Sequence, residues 1–323
     1  MRLNEAARGL YEEKVAFDIC SEYSAKKSIQ KVGLLNLGNI EIREITPGAI
    51  KKSVLELKQA PNRLGGKGLS NTTINAALKA ARASCDWAIE SGEEETNPFR
   101  QVKNLKSVSE HKVCFLTESE AADLIKSAKS EMGACIEHEN VQEASYCLAV
   151  LLAVSTGMRR GEIFGLSWSN VDTDGCSIKV VESIKAGGEI GPPKTRSGKR
   201  VIHIGDNISQ ELSSWALFQE SLLGSKPKML LTDKDGNIAN LNMFEHWWNE
   251  FRRRAGFENL RFHDLRHTHA TLLISAGVDI KTVQTRLGHS SSGITLDIYT
   301  HALPQNDINA SMILDDAVFG GNE

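Results

Sequence analysis

Apolar residues recur at helical spacing through the first part of the chain. The stretch 46–60 opens with Thr46 as a helix cap and Pro47 at the first helical position, and apolar residues follow three or four apart. A longer amphipathic helix is predicted to begin at Asn71, after a glycine-rich loop. The pattern predicts a helical domain over residues 1–97.

A polar stretch without apolar periodicity follows at residues 98–112. It begins with an Asn-Pro pair, which disfavours helix, so we predict an interdomain linker there. Regular structure resumes at Thr117, where Glu120 completes the form of a capping box. A strongly apolar helix is predicted at about 141–156.

Strand-like alternation appears in the middle of the second domain. Residues 177–181 and 200–204 alternate in character on either side of a Ser-Gly turn, which predicts a hairpin or a three-stranded sheet. The helical pattern returns from 207 onward. We therefore expect a mainly α protein with a small antiparallel β-sheet. Its two domains are the N-terminal helical one and a mixed α/β domain at 113–303, with a C-terminal tail at 304–323.

Composition narrows the class of protein. A length of 323 residues fits two domains, and 41% hydrophobic with 24% charged residues is typical of globular proteins. No run reaches the roughly 18 apolar residues of a membrane span, and the first residues lack the apolar core of a secretory signal. The six cysteines form no close pair, which favours reduced thiols over a zinc cage or a disulfide framework. These features predict a cytoplasmic protein without membrane association.

The charge distribution separates the two parts of the chain. The formal net charge is -3, which gives no signal for nucleic acid over the whole chain. Residues 1–110 nevertheless carry 17 Lys and Arg against 14 Asp and Glu. A mildly basic N-terminal part favours a DNA-facing module.

Side chains suited to phosphate chemistry cluster in the last quarter of the chain. Arg266 offers a planar charged fork for phosphate oxygens, and His263 and His289 can donate or move a proton near neutral pH. Tyr299 can act as a covalent nucleophile. The group suggests a phosphoryl-transfer site. Spaced four apart, His263 and His267 also permit a zinc site, although no third ligand is evident.

A second group lies upstream, after a glycine that breaks the apolar helix. Arg159 and Arg160 stand at the predicted start of a new helix, where free N–H groups and the helix dipole favour anions. Glu162 lies on the same face as Arg159 and can orient its guanidinium.

Together these motifs resemble the tyrosine recombinase, or phage integrase, family over residues 115–303. The motifs in chain order are Thr156-Gly157-Met158-Arg159, Lys194 in the hairpin, His263-x-x-Arg266, Leu287-Gly288-His289 and Tyr299. The helical N-terminal part resembles the core-binding domain of that family. With only about 97 residues before the linker, we expect no room for the additional arm-type DNA-binding domain that many integrases carry.

The resemblance implies site-specific DNA strand cleavage and rejoining without metal or nucleotide cofactor. Tyr299 would attack the scissile phosphate and form a 3′-phosphotyrosyl link, releasing a 5′-hydroxyl. Arg159 and Arg266 would hold the nonbridging oxygens, and His289 would donate a further hydrogen bond.

Three further residues complete the implied site. Lys194 would protonate the leaving 5′-oxygen as general acid, although Lys199 in the same hairpin remains an alternative. His263 would act as acid or base near the tyrosine, and Glu162 would position the first arginine.

The implied partners are double-stranded DNA recombination sites, three further copies of the chain in a tetramer, and accessory DNA-bending or excision factors. The apolar tail is expected to dock on a neighbouring subunit. The resemblance also implies a bacterial protein that is nucleoid-associated when bound to DNA. Two alternatives remain open: a type IB topoisomerase-like nicking-closing enzyme and a non-catalytic DNA-binding relative.

Overall fold

The computed structural model describes residues 1–60, 68–106, 114–185, 187–193 and 196–288, together with Met312, Leu314, Asp315 and Val318. The chain divides into two compact units, residues 1–112 and residues 113–323.

The first unit is helical. Its helices are α1 (Leu3–Ala16), α2 (Glu22–Gly33), α3 (Pro47–Gln59) and α4 (Asn71–Glu90), with short 3-10 helices at Ile42–Glu44 and Pro98–Gln101. Thr46 caps α3 as predicted, because its Oγ1 accepts from the Ala49 N–H at 3.2 Å. The cap of α4 is Ser70, one residue ahead of the predicted start, and its Oγ accepts from the Thr73 N–H at 3.2 Å.

The predicted linker at 98–112 differs from the observed structure. Phe99 is fully buried and Val102 nearly so, and both pack in the core of the first unit. Arg82 of α4 donates to the carbonyls of Phe99 and Val102 at 3.3 and 3.0 Å. The described part of this stretch therefore belongs to the helical unit. Burial of Phe99 and Val102 ties this stretch to the core in spite of its polar composition. The stretch is too short to show hydrophobic periodicity, so the pattern did not reveal these two residues.

The second unit combines helices with two small sheets. Its helices are α5 (Glu118–Glu137), α6 (Val141–Thr156), α7 (Arg160–Phe164), α8 (Asp206–Leu223), α9 (Leu241–Arg254), α10 (Asp264–Ser275) and α11 (Ile280–Leu287). Its strands are β1 (Val171–Asp172), β2 (Ser177–Val180), β3 (Ser183–Ile184), β4 (Ile190–Gly191) and β5 (Arg200–His203). The order β1-β2-β5 is antiparallel, and β3 pairs with β4 in a separate hairpin. The predicted mainly α fold with a small antiparallel sheet is confirmed.

Helix α6 forms the centre of the second unit. It is apolar on all sides and packs against α5, α8, α9 and α10, as expected of a helix without a solvent face. Gly157 ends it in the left-handed conformation, with φ of 66°. A Cβ at Gly157 would lie 2.6 Å from Leu287 and 2.7 Å from His269, so glycine also permits close packing of α10 and α11. The chain therefore leaves the core at Arg159, beside these two helices.

Among the described residues, no helix is both long enough and apolar enough to span a membrane.

Candidate active site

Arg159 lies at the N-cap of α7 and is held by Glu162. The Glu162 carboxylate accepts from the Arg159 backbone N–H at 2.9 Å and from its Nη1 at 2.7 Å. The predicted pairing of these residues is therefore present in the structure. The predicted anion site on free N–H groups is weakened, because α7 spans one turn and Glu162 already occupies its first donor.

Arg200 of β5 is a member of the site that the sequence argument did not assign. Its Nη1 and Nη2 donate to both oxygens of Glu162, at 3.2 and 2.9 Å, and both side chains are almost fully buried. Burial alone would raise the pKa of Glu162, but the hydrogen bonds and charges of Arg200 and Arg159 outweigh it and lower the pKa. Glu162 is thus an anion shared between two arginines.

Arg266 lies on α10 and is only 3% exposed. Its Nη1 donates to the Gly157 carbonyl at 2.7 Å, and its Nη2 donates to the Leu287 carbonyl at 2.6 Å. Burial and the nearby charge of Arg159 lower the pKa of Arg266, and a guanidinium stays charged at neutral pH even so. The side chain therefore places a fixed cation where α6, α10 and α11 meet.

Three arginines converge on the C-terminal end of α11. Arg200 Nε donates to the carbonyl of residue 286 at 2.6 Å, Arg266 to residue 287, and Arg159 Nη2 to residue 288 at 3.2 Å. The last carbonyls of a helix lack intrahelical partners and carry partial negative charge. We call this arrangement the arginine hub. It brings the two predicted phosphate-binding arginines together, directly ahead of His289 in the chain.

His263 stands at the N-cap of α10, at the border of the hub. Its ring meets the His267 ring edge-on, with centroids 5.3 Å apart. His263 is exposed to solvent, while burial of part of its ring, with the charges of His267 and Arg266, lowers its pKa. The lowered pKa favours the neutral imidazole, the form that can accept a proton.

An open cleft of about 520 Å³ lies beside Arg159 and His263. Its lining residues are Arg159, Arg160, Gly161, Glu245, Trp248, Asn249, Arg252, Leu260, Arg261, Phe262 and His263. Arg160 pairs with Glu245, and Arg261 pairs with Asp264 at 2.8 Å. Four guanidinium groups in one cleft suit a ligand that carries several negative charges.

Lys194, His289 and Tyr299 lie outside the described residues. Lys199, the alternative general acid, is exposed at the turn before β5. In the described ranges, no group of three His, Cys, Asp or Glu side chains is arranged to hold a metal ion.

Comparisons with known proteins indicate the same family as the sequence motifs. A model described as the phage integrase family matches residues 114–306. The tyrosine recombinase XerC-like protein of Caldanaerobacter subterraneus subsp. tengcongensis is 28% identical over 290 residues, covering 83% of this chain and 72% of its own. The ICEBs1 integrase of Bacillus subtilis is 27% identical over 305 residues, covering 92% and 74%.

Solved structures share the fold. The Tn1549 transposon integrase, in complex with a circular intermediate DNA, has a TM-score of 0.72 at 20% identity, covering 97% of this chain and 99% of that chain. The XerH site-specific recombinase, bound to a palindromic difH substrate, has a TM-score of 0.63 at 18% identity, covering 97% and 95%.

Proposed function

This chain belongs to the phage integrase family of tyrosine recombinases, as its motifs predicted, and we propose that the arginine hub and Tyr299 carry out its strand exchange. The Tyr299 oxygen attacks the scissile phosphorus in line. A bond forms between that oxygen and phosphorus while the bond to the 5′-oxygen breaks. The product is a 3′-phosphotyrosyl link and a 5′-hydroxyl, and the reverse reaction with another 5′-hydroxyl reseals the strand.

The fixed cations stabilise the transition state. Arg159 and Arg266 hold the nonbridging oxygens as charge develops on them, and His289 donates a further hydrogen bond. The breaking bond leaves its electron pair on the 5′-oxygen, which needs a proton. Lys194 supplies it as general acid, and His263, neutral at physiological pH, accepts the tyrosine proton.

The observation that carries this proposal is the convergence of Arg159 and Arg266 on adjacent carbonyls of α11. Two cations far apart in the sequence donate to residues 287 and 288, immediately before His289. Donation to adjacent carbonyls brings the two cations to one point of the site, which supports a single phosphate held by both, and the cleft beside Arg159 adds further cations for the DNA backbone.

The partners follow from the chemistry. Double-stranded DNA recombination sites are the proposed substrates, and exchange between two duplexes requires four copies of the chain. The tail after Tyr299 docks on a neighbouring copy and so delivers the nucleophile. The site needs no metal or nucleotide, while accessory DNA-bending or excision factors set the direction of the reaction in the bacterial nucleoid.

A covalent-trapping experiment tests the proposal. The protein is incubated in EDTA with a pool of nicked duplexes of varied core sequence, and protein–DNA adducts are isolated in detergent. We expect an adduct with the wild-type chain and none with Tyr299→Phe. A wild-type chain that forms no adduct with any member of the pool would contradict the proposal.

A second assay separates recombination from nicking and closing. Once the preferred duplex is known, the protein is given a plasmid with two copies of it and a plasmid with one. Recombination yields deletion or inversion products only from the two-site plasmid. Relaxation of the one-site plasmid without such products would favour the topoisomerase-like alternative.

A further inference from the structure

His269 of α10 is buried, and both of its ring nitrogens have partners on other helices. Nδ1 lies 2.8 Å from the Val154 carbonyl of α6, and Nε2 lies 3.1 Å from Arg286 Nε of α11. Arg286 Nη2 also donates to the Ser155 carbonyl at 3.3 Å. The two side chains thus connect the end of α6 with the end of α11, and we call this pair the α6–α11 strut.

The partners determine the protonation of the ring. An arginine N–H can only donate, so Nε2 must be the acceptor, and a carbonyl can only accept, so Nδ1 must carry the proton. His269 is therefore a neutral imidazole in a single tautomer. A proton on Nε2 would remove the acceptor and set two cations face to face.

Apolar packing holds α11 only weakly, so its orientation depends on hydrogen bonds such as those of the strut. The helix has eight residues and buries two of them, Val283 and Leu287. These form a small cluster with Ala270 and Ile274, separate from the large core of the second unit. Hydrophobic contacts of this kind are non-directional and do not fix the rotation of a short helix. Directed hydrogen bonds at its C-terminal end can fix that rotation, and the strut supplies the ones that reach α6.

The strut acts at the residues that form the hub. The Arg286 backbone carbonyl accepts from Arg200, while its side chain reaches His269 in the opposite direction. The next two carbonyls accept from Arg266 and Arg159. A rotation of the end of α11 would therefore displace the three carbonyls of the hub together.

We propose that His269 and Arg286 are positioning residues, which fix the end of α11 against α6 and so hold in place the carbonyls to which the hub arginines donate. The inference rests on the proposed function for its catalytic consequence, whereas the strut itself can be measured without DNA. The two residues act on the site through the arginines of the hub. A displacement of about 1 Å in such a site can lower a rate by about two powers of ten.

A matched pair of substitutions tests the proposal. His269→Asn keeps an amide donor near Nδ1 for Val154 but removes the acceptor for Arg286. His269→Gln loses the donor to Val154 but places an amide oxygen near Nε2, where it can still accept from Arg286. Arg286 keeps its own bond to the Ser155 carbonyl, so the link between α11 and α6 remains. Thr271→Val is the control on the same helix, because the buried Thr271 hydroxyl has no hydrogen-bond partner among the described residues.

Cleavage is measured in a single turnover at saturating DNA, alongside the DNA dissociation constant. We expect His269→Asn to slow cleavage by about 10- to 100-fold, with DNA affinity unchanged within about twofold. His269→Gln should stay within about threefold of wild type, and Thr271→Val should match it. Equal losses in the Asn and Gln variants, in proportion to lost stability, would overturn the proposal and indicate simple core packing.

Hydrogen exchange of α11 without DNA gives the second readout. We expect His269→Asn to exchange the amides of residues 284–288 about tenfold faster than His269→Gln or wild type. Equal exchange in both variants would overturn the strut. If the wild-type chain forms no adduct with DNA, the proposed function fails, and the exchange comparison still decides whether the strut holds α11.

Discussion

The two arginines proposed to bind phosphate have the same side chain but different surroundings. Arg266 is 3% exposed and joins three helices, whereas the Arg159 side chain is 39% exposed and opens onto the cleft. The inner part of the site, around Arg266, Arg200 and Glu162, is therefore part of the folded core. The outer part, around Arg159 and His263, can change without unfolding the protein. Similar catalytic effects should thus accompany very different effects on stability.

Replacing Arg266 should give the largest difference between the two parts. Arg266→Met keeps much of the volume but leaves the Gly157 and Leu287 carbonyls without donors. Each unsatisfied carbonyl costs about 1–3 kcal/mol, and removal of the buried charge, whose pKa is lowered by burial and Arg159, offsets part of this. We expect a net loss of about 3 kcal/mol in the free energy of unfolding, measured by urea denaturation. The matched variant Arg159→Met should lose less than about 1 kcal/mol. Similar losses in both variants would remove the distinction between inner and outer parts.

Acid should destabilise the inner part through His269. Burial lowers the pKa of His269 to about 4 from its ordinary 6.5, so the unfolded chain takes up a proton that the folded chain does not. Stability should fall as the pH falls from about 6.5 to about 4, by on the order of 3 kcal/mol for this group.

Denaturation of His269→Gln at several pH values checks this expectation. The variant lacks the titrating group, so its stability should depend less on pH than that of wild type over the same range. His263→Gln should flatten the curve less, because His263 stays partly exposed at the cleft. Parallel curves for wild type and His269→Gln would contradict the assignment.

Gly288 tests how closely the C-terminal end of α11 packs against the turn before β5. Its φ is 68°, and a Cβ there would lie 2.7 Å from the Ser197 carbonyl oxygen. We expect Gly288→Ala to lose about 2–3 kcal/mol by thermal or urea denaturation. Gly277 also has a positive φ, but a Cβ there would meet no atom of the described residues within 4 Å. Gly277→Ala should therefore lose only about 1 kcal/mol. Equal losses would show that the hub tolerates a shift of α11.

Arg159→Ala should have the smallest effect on stability and a large effect on chemistry. The variant keeps the backbone N–H that Glu162 accepts, and Glu162 keeps Arg200 as its partner. We expect less than about 1 kcal/mol in unfolding and a loss of roughly two to four powers of ten in the rate of adduct formation. A strongly destabilised Arg159→Ala would place this residue in the inner part instead.

The local contacts that the sequence predicted correctly each depend on one short segment of the chain. The cap at Thr46 and the capping box at Thr117 appear in the structure, because capping depends on residues three positions apart. The pairing of Arg159 with Glu162 is local in the same way. The described part of the predicted linker, residues 98–106, instead packs with the first unit, since the burial of Phe99 depends on contacts with the rest of that unit's core.

The pairings that the sequence did not reveal share a different property. Arg200 and its partner Glu162 stand 38 positions apart, and the two residues of the strut, Arg286 and His269, stand 17 apart. No periodicity links such positions, and an arginine in a strand is usually solvated. The sequence does place Arg200 shortly after Lys194, in the same predicted hairpin, but this position did not indicate Glu162 as its partner.

The order of residues along the chain was enough to predict the family, the mainly helical fold and the chemical types of the side chains proposed for the site, since these depend on composition and short-range order. Which cations share an acceptor, how deeply each is buried and which also supports the fold became visible only in the folded chain. The physical reason is that burial and hydrogen-bond geometry arise from contacts between helices, and the C-terminal end of α11 receives its three arginines from three separate parts of the chain.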